Sequence, residues 1–279
     1  VAWLASAYIL VKIMRLLSID KSYQFKAMLI YALLPSAFFF TSVTLREPYQ
    51  LLFVNLVIYS ALKIYLNKSS FHWLVLFCAV ITMGLLHGAL FAFGIFIVLA
   101  TLVLLTLREG KSFSLIRLAL VTPLVFLVAL YGLSLFTSYF YNIDGGLSAA
   151  VESYQQGLLA VEGRTNYKDS VEISGVTGLL LFIPVSLLQY FFEPMPWRIS
   201  SASDVVALFE NILRTWLIWK VWTGLRNMPT QGRRPVLFVF LSYLVIETIW
   251  ALGTVNWGTA LRHHIPATGI LLAAAFANR

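Results

Sequence analysis

Four short polar clusters interrupt an otherwise apolar chain, and each carries groups suited to acid–base or anion chemistry. The richest is Asn256-Trp257-Gly258-Thr259-Ala260-Leu261-Arg262-His263-His264, which runs into Pro266. Arg262 offers a planar fork of donors for phosphate or carboxylate oxygens. His263 and His264 add donors or charge, and Gly258 and Thr259 bring backbone N–H groups and a hydroxyl. Beside a membrane this makes an anion site fit for a lipid phosphate or pyrophosphate; the plain alternative is an arginine snorkelling to headgroups. A second cluster, Thr44-Leu45-Arg46-Glu47-Pro48, sets Glu47 beside Pro48, a residue suited to a first helical turn. The helix dipole stabilises Glu47 there, either as a functional carboxylate or as half of an interfacial ion pair with Arg46. His87 lies in the break Gly84-Leu85-Leu86-His87-Gly88 and reads either as a ligand or base or as a packed hairpin residue. The remaining cluster is the acidic stretch 141–174 followed by Glu193-Pro194-Met195-Pro196-Trp197-Arg198, with Trp197 placed as interfacial tryptophans are.

Two acids fall inside apolar segments. Glu210 and Arg214 are four apart, so they share a helix face and are expected to neutralise each other. Glu247 has no partner three or four residues away on its own helix. A charge at mid-span costs roughly 2.5–3.5 kcal/mol on insertion scales, so Glu247 is either protonated or paired across helices.

The elements that must position these groups are membrane helices. Of the 279 residues, 60% are hydrophobic and only 11% charged, too few charges to coat a soluble domain. About 20 apolar residues span the hydrocarbon, and candidate spans lie at 1–17, 25–45, 47–66, 71–86, 88–107, 114–140, 204–225 and 236–253, with further apolar segments at 175–192 and 265–277. The expected fold class is therefore all-α: one polytopic helical bundle over 1–279 with about nine spans. The first segment is already helical and apolar at Val1, which reads as the interior of a longer protein.

Thirteen of the twenty Lys and Arg sit near 12–26, 63–68, 108–117 and 220–234, and the loops between them hold eight of the twelve acids. The positive-inside rule makes the first set cytoplasmic and the second external. That assignment holds throughout if 175–192 dips in and returns, broken at Pro184, rather than crossing. All four clusters then share the outer face. The net charge of +8 is explained by these loops, so nucleic acid is not an expected partner. The single Cys78 lies in an apolar run and builds neither disulfide framework nor metal site. Walker loops, HExxH, GxSxG and dinucleotide fingerprints are all missing from the sequence. No cofactor is expected, and no ligand set for a divalent cation is legible.

The order of features resembles the polytopic glycosyltransferases with the C-type fold and related bacterial envelope-polysaccharide membrane proteins. The likeness rests on Leu33-Leu34-Pro35-Ser36, Leu45-Arg46-Glu47-Pro48, Pro194-Met195-Pro196-Trp197 and Asn256 to Pro266, and covers most of the chain through short motifs. It implies transfer of a sugar from a polyprenyl-phosphate carrier, with inversion, at the outer face of a bacterial plasma membrane. The family's usual base is an Asp or Glu in a first outer loop near the N-terminus, and this chain has no such loop ahead of its first helix. On that reading Arg262, with His263 or His264, receives the leaving phosphate, and Glu47 takes the acceptor's proton or supports a base elsewhere. Gly258 and Thr259 shape the anion pocket, with Asn256, Arg46, His87 and Arg198 as further binding residues, and Trp197 covers a sugar face or the lipid. Runner-up readings are a polysaccharide polymerase or ligase acting on lipid-linked glycans, and a transporter or flippase, which should show internal repeats and paired broken helices.

Overall fold

The computed structural model describes residues 1–42, 46–106, 124–125, 127–128, 131–132, 146–160, 163–168 and 175–277. Every regular element among them is helical. The order is α1 (Ala2–Leu16), α2 (Lys21–Leu33), α3 (Pro35–Ser42), α4 (Glu47–Asn67), α5 (Phe71–Leu86), α6 (Gly88–Thr106), α7 (Gly146–Leu159), α8 (Gly175–Phe192), α9 (Ala202–Asn227), α10 (Thr230–Gly253) and α11 (Trp257–Phe276), with a short 3-10 turn at Pro196–Arg198. The expected span 114–140 lies mostly outside the described residues, as do Thr44, Leu45, Asp144, Glu162, Asp169 and Glu172.

Helix α11 is the axis of the bundle. All its residues from His264 to Phe276 are buried, and it packs against α1, α2, α3, α4, α9 and α10. Small residues let its neighbours approach: a Cβ on Gly269 would lie 2.8 Å from Asn55 Oδ1 of α4. Asn55 in turn donates from Nδ2 to Ser6 Oγ of α1 at 2.9 Å, and Ser6 Oγ lies 2.9 Å from the Tyr31 hydroxyl of α2. Ser6, Tyr31 and the Asn55 Nδ2 thus find partners across helices, as buried polar groups mostly do where water is scarce.

Among the described residues, three helices are long and apolar enough to cross a membrane: α4, the Gly88–Leu105 part of α6, and the Gly232–Gly253 part of α10. A fourth crossing arises if α2 and α3, bent by 58°, form one span. This fits an integral membrane protein. The expected count of about nine is not reached by these tests of length and composition. Helices α1 and α5 have 15 and 16 residues, below the roughly 20 that cross the hydrocarbon, and α9 is rich in charge.

Helix α9 has the polarity of a soluble helix turned inside out. It buries Asp204, Glu210, Asn211 and Arg214 while exposing Val205, Phe209, Ile212, Trp216, Trp219 and Trp222, a stripe at helical spacing. Such an arrangement suits a lipid exterior, where apolar side chains face outward and polar ones pair within.

Three expectations change. The single span 25–45 is two helices, because Pro35 lacks an N–H and forces Leu34 into extended backbone (φ −63°, ψ 118°). Segment 175–192 is one continuous helix that carries Pro184 inside it rather than breaking there. The stretch 257–264 is helix, not loop, because Asn256 caps α11 by accepting from the Thr259 N–H at 2.7 Å. The expected break at His87 is present: its extended backbone (φ −166°, ψ 131°) separates α5 from α6.

Candidate functional site

The cap at Asn256 fixes where α11 begins and hence where Arg262 and His263 point. Arg262 reaches the first residue of α4: its Nε and Nη2 donate to Glu47 Oε1 at 2.9 and 2.5 Å. Glu47 is buried, and its Oε2 is enclosed without a hydrogen-bond partner. The expected Arg46–Glu47 ion pair is absent; Glu47 belongs to Arg262. Arg46 instead donates from Nη1 to the Leu86 carbonyl at 3.1 Å, meeting one of the carbonyls that the end of α5 leaves unpaired. This sets Arg46 beside His87.

The Nδ1 of His87 accepts from the Ala89 N–H at 3.2 Å. Its ring stands edge-on to Trp250 at 4.8 Å, with Tyr154 of α7 at 6.0 Å and His263 at 6.4 Å. Burial, reinforced by the Arg46 guanidinium, pushes the His87 imidazole down to about 4. It is therefore neutral near pH 7. His263 stacks on Trp250, with centroids 4.0 Å apart and planes 17° from parallel, and its Nδ1 lies 2.8 Å from Thr254 Oγ1. Arg46, Glu47, His87, Arg262 and His263, drawn from three distant stretches of sequence, thus form one group with Trp250 at its floor and Tyr154 at its side.

The other expected site residues separate from this group. His264 points into the bundle, its Nδ1 2.5 Å from Glu247 Oε2, so Glu247 is paired across helices. Around that pair, Glu247 Oε1, His264 Nε2 and the hydroxyls of Tyr190 and Tyr243 are buried with no partner. Arg198 donates to Glu193 Oε1 at 2.9 Å and to the Asn166 carbonyl at 2.7 Å, and lies over the Trp257 ring. Trp197 is 79% exposed in the adjoining 3-10 turn. Asn256 and Thr259 are engaged with each other at the cap, so the Thr259 N–H is not free for an anion. Gly258 approaches nothing closely: a Cβ there would meet Asn256 Oδ1 at an ordinary 3.5 Å. Glu210 and Arg214 do not neutralise each other. Glu210 accepts from the Ser36 N–H and hydroxyl at 2.7 and 2.6 Å, holding the start of α3, while Arg214 donates to Asn211 at 2.6 Å.

No protein-family model, curated protein or solved structure matches this chain. The chemistry is therefore read from these side chains alone. Two guanidinium groups, one neutral imidazole with its tautomer fixed by a backbone donor, and a second imidazole on an indole make a face that can hold an oxyanion beside an uncharged hydroxyl-bearing group. Among the described residues no group of three or more His, Cys, Asp or Glu could hold a metal ion.

Several participants carry no sequence signal. Trp250 is one of eight tryptophans and Tyr154 one of thirteen tyrosines, and no spacing singles them out. Asp204 gathers Arg164 at 2.6 Å, the Trp257 Nε1–H at 2.9 Å and the Ser200 and Ser201 N–H groups, tying residues 163–168 to α9 and α11. Lys168 is buried and donates to Ser186 Oγ and the Ala251 carbonyl, both at 2.6 Å. Among the described residues no carboxylate pairs with it.

Proposed function

We propose that this chain is a membrane glycosyltransferase of the C-type-fold kind, moving a sugar from a polyprenyl-phosphate donor to an envelope glycan, lipid or protein acceptor. The reaction takes place at the extracytoplasmic face of a bacterial plasma membrane, in a bundle of about nine crossings. The observation that carries the reading is the bond from Arg262 to Glu47 Oε1 through Nε and Nη2. It holds the guanidinium rigid and leaves Nη1 for a ligand oxygen.

As the bond from the anomeric carbon to phosphate breaks, charge grows on the departing oxygen, and a pre-oriented guanidinium stabilises that charge without reorganising. Arg46 adds a second positive charge next to it, and Glu47 acts as the positioning partner of Arg262. A ligase or polymerase that joins lipid-linked glycans uses the same oxyanion chemistry. The two imidazoles beside Arg262 keep that reading second.

The test is sugar transfer from radiolabelled polyprenyl-phosphate hexoses and pentoses in membranes containing the protein, wild type against Arg262→Ala. Transfer by the wild type that the substitution abolishes, at equal expression, supports the reading. Absence of transfer from every donor would remove it, and joining of pyrophosphate-linked glycans instead would promote the ligase.

A further inference from the structure

We infer that His87 and His263 form a donor–acceptor clamp for a single neutral hydroxyl, and that His263 Nε2 is the base that deprotonates it. This rests on the transferase reading, and it assigns the acceptor side of the same site.

The two tautomers follow from their partners. Thr254 Oγ1 makes two short contacts, 2.7 Å to the Trp250 carbonyl and 2.8 Å to His263 Nδ1. Both contacts need a proton, and the hydroxyl has only one. The carbonyl has none to give, so Thr254 donates to it and His263 Nδ1–H donates to Thr254. The neutral ring then carries its lone pair on Nε2. His87 is the opposite case: its Nδ1 accepts from the Ala89 N–H, so its proton is on Nε2. Among the described residues neither Nε2 has a hydrogen-bond partner, and both residues are only half-buried. The rings lie 6.4 Å apart between centroids at 74°, a separation on the scale that a hydroxyl bridging two nitrogens at about 2.8 Å each requires.

This pairing discriminates between ligands. A phosphate oxygen needs donors alone, and the lone pair of His263 would repel it. A hydroxyl oxygen accepts from His87 Nε2–H while its proton goes to His263 Nε2. Glu47 is poorly placed for that step: Oε1 is taken by Arg262, and Oε2 is enclosed where no acceptor can reach it. In the reaction the acceptor O–H proton moves to His263 Nε2 and the oxygen bonds the anomeric carbon. The carbon–phosphate oxygen bond breaks, and its electron pair leaves on the phosphate facing Arg262 and Arg46. The resulting imidazolium keeps its Nδ1–H bond to Thr254. Its charged and titratable neighbours, His87, Arg262 and Arg46, disfavour the imidazolium, and Trp250 stacked on its face offsets part of that cost.

The experiment is 15N NMR of histidine-labelled, full-chain protein in detergent, titrated with methyl α-D-glucopyranoside as a hydroxyl probe. His263 is expected to carry its proton on Nδ1 and His87 on Nε2, with the probe shifting both Nε2 resonances. The reverse tautomer at either residue, or a probe that moves neither, overturns the clamp whether or not any transfer is found. Where the wild type transfers sugar, His263→Asn is expected to lower the rate at least about a hundredfold with polyprenyl-phosphate binding unchanged. Equal transfer by that variant overturns the base while leaving the transferase standing.

Discussion

Arg262 owes its aim to a carboxylate 215 residues away in the sequence. The contact uses two nitrogens of one planar fork, so charge alone cannot reproduce it. Arg262→Lys keeps the positive charge but can make only one bond to Glu47 Oε1 and cannot present a fixed donor to phosphate. The expected result is a fall in transfer of at least about tenfold, the size of one lost charge-assisted hydrogen bond of roughly 1.5–3 kcal/mol, with the melting temperature in detergent little changed. A large drop in melting temperature would instead make Arg262 a structural tie. Lys168 offers a test by pH. Burial lowers its ammonium to about 7, so between about 7 and its unfolded value of 10.5 the unfolded chain binds a proton that the folded protein does not. Stability should therefore rise as pH increases from 7 toward 10, and be lost as pH falls back through that window. Lys168→Met, which removes the titrating group, is expected to flatten that slope in thermal unfolding scans at pH 7, 8.5 and 10. An unchanged slope would show that Lys168 is not its source.

At the scale of elements, the sequence announces the helices better than it announces their ends. Composition places α4, α5 and α6 to within a residue or so at each end, because each is an apolar run bounded by Pro, Gly or charge, whereas α10 starts at Thr230, six residues ahead of the expected 236. It missed the start of α11, where Asn256-Trp257-Gly258-Thr259 looks like loop chemistry until the Asn256 side chain is seen closing on the Thr259 N–H. It missed the continuity of α8 as well, since Pro184 signals a break while packed neighbours hold the helix together. The site was legible in part. Glu47, Arg262, His263 and His87 stand out by residue type, whereas the tie from Glu47 to Arg262 and the indole beneath the imidazoles depend on how distant helices pack. Glu247 shows how far the reading reached: its need for a cross-helix partner could be stated, and His264 as that partner could not. Removing one member should cost about 1–3 kcal/mol, because an unsatisfied polar group stays behind in the bundle. Glu247→Ala and His264→Ala are each expected to lower stability by that order in denaturant titrations, while Glu247→Leu combined with His264→Phe recovers most of it. Single variants as stable as wild type would show that the pair contributes nothing.

For the molecule as a whole, the decisive feature is which surfaces are apolar. Helix α9 buries Asp204, Glu210 and Arg214 and turns Phe209, Ile212, Trp216, Trp219 and Trp222 outward, an arrangement that water would oppose at these apolar positions. Lipid removes that opposition, and tryptophans favour the interfacial depth of a bilayer. The charged heads of the basic side chains nearby lie over aromatic rings: Lys220 Nζ over Phe276 and Trp216, and the Arg226 guanidinium over Trp222. In vesicles of brominated phosphatidylcholine, these three tryptophans should be quenched strongly, and their joint replacement by Phe should remove the larger share of quenching from a protein with eight tryptophans in all. Quenching that survives the replacement would mean that α9 meets protein rather than lipid. The same preparation tests orientation. Arg233 and Arg234 at the head of α10 are on the cytoplasmic side if α8 does not cross, so a reporter fused after Trp197 is expected to read as extracytoplasmic. A cytoplasmic reading would invert α9 through α11 and carry Arg262, His263 and the whole proposed site to the other face, where an externally presented lipid-linked donor could not reach them.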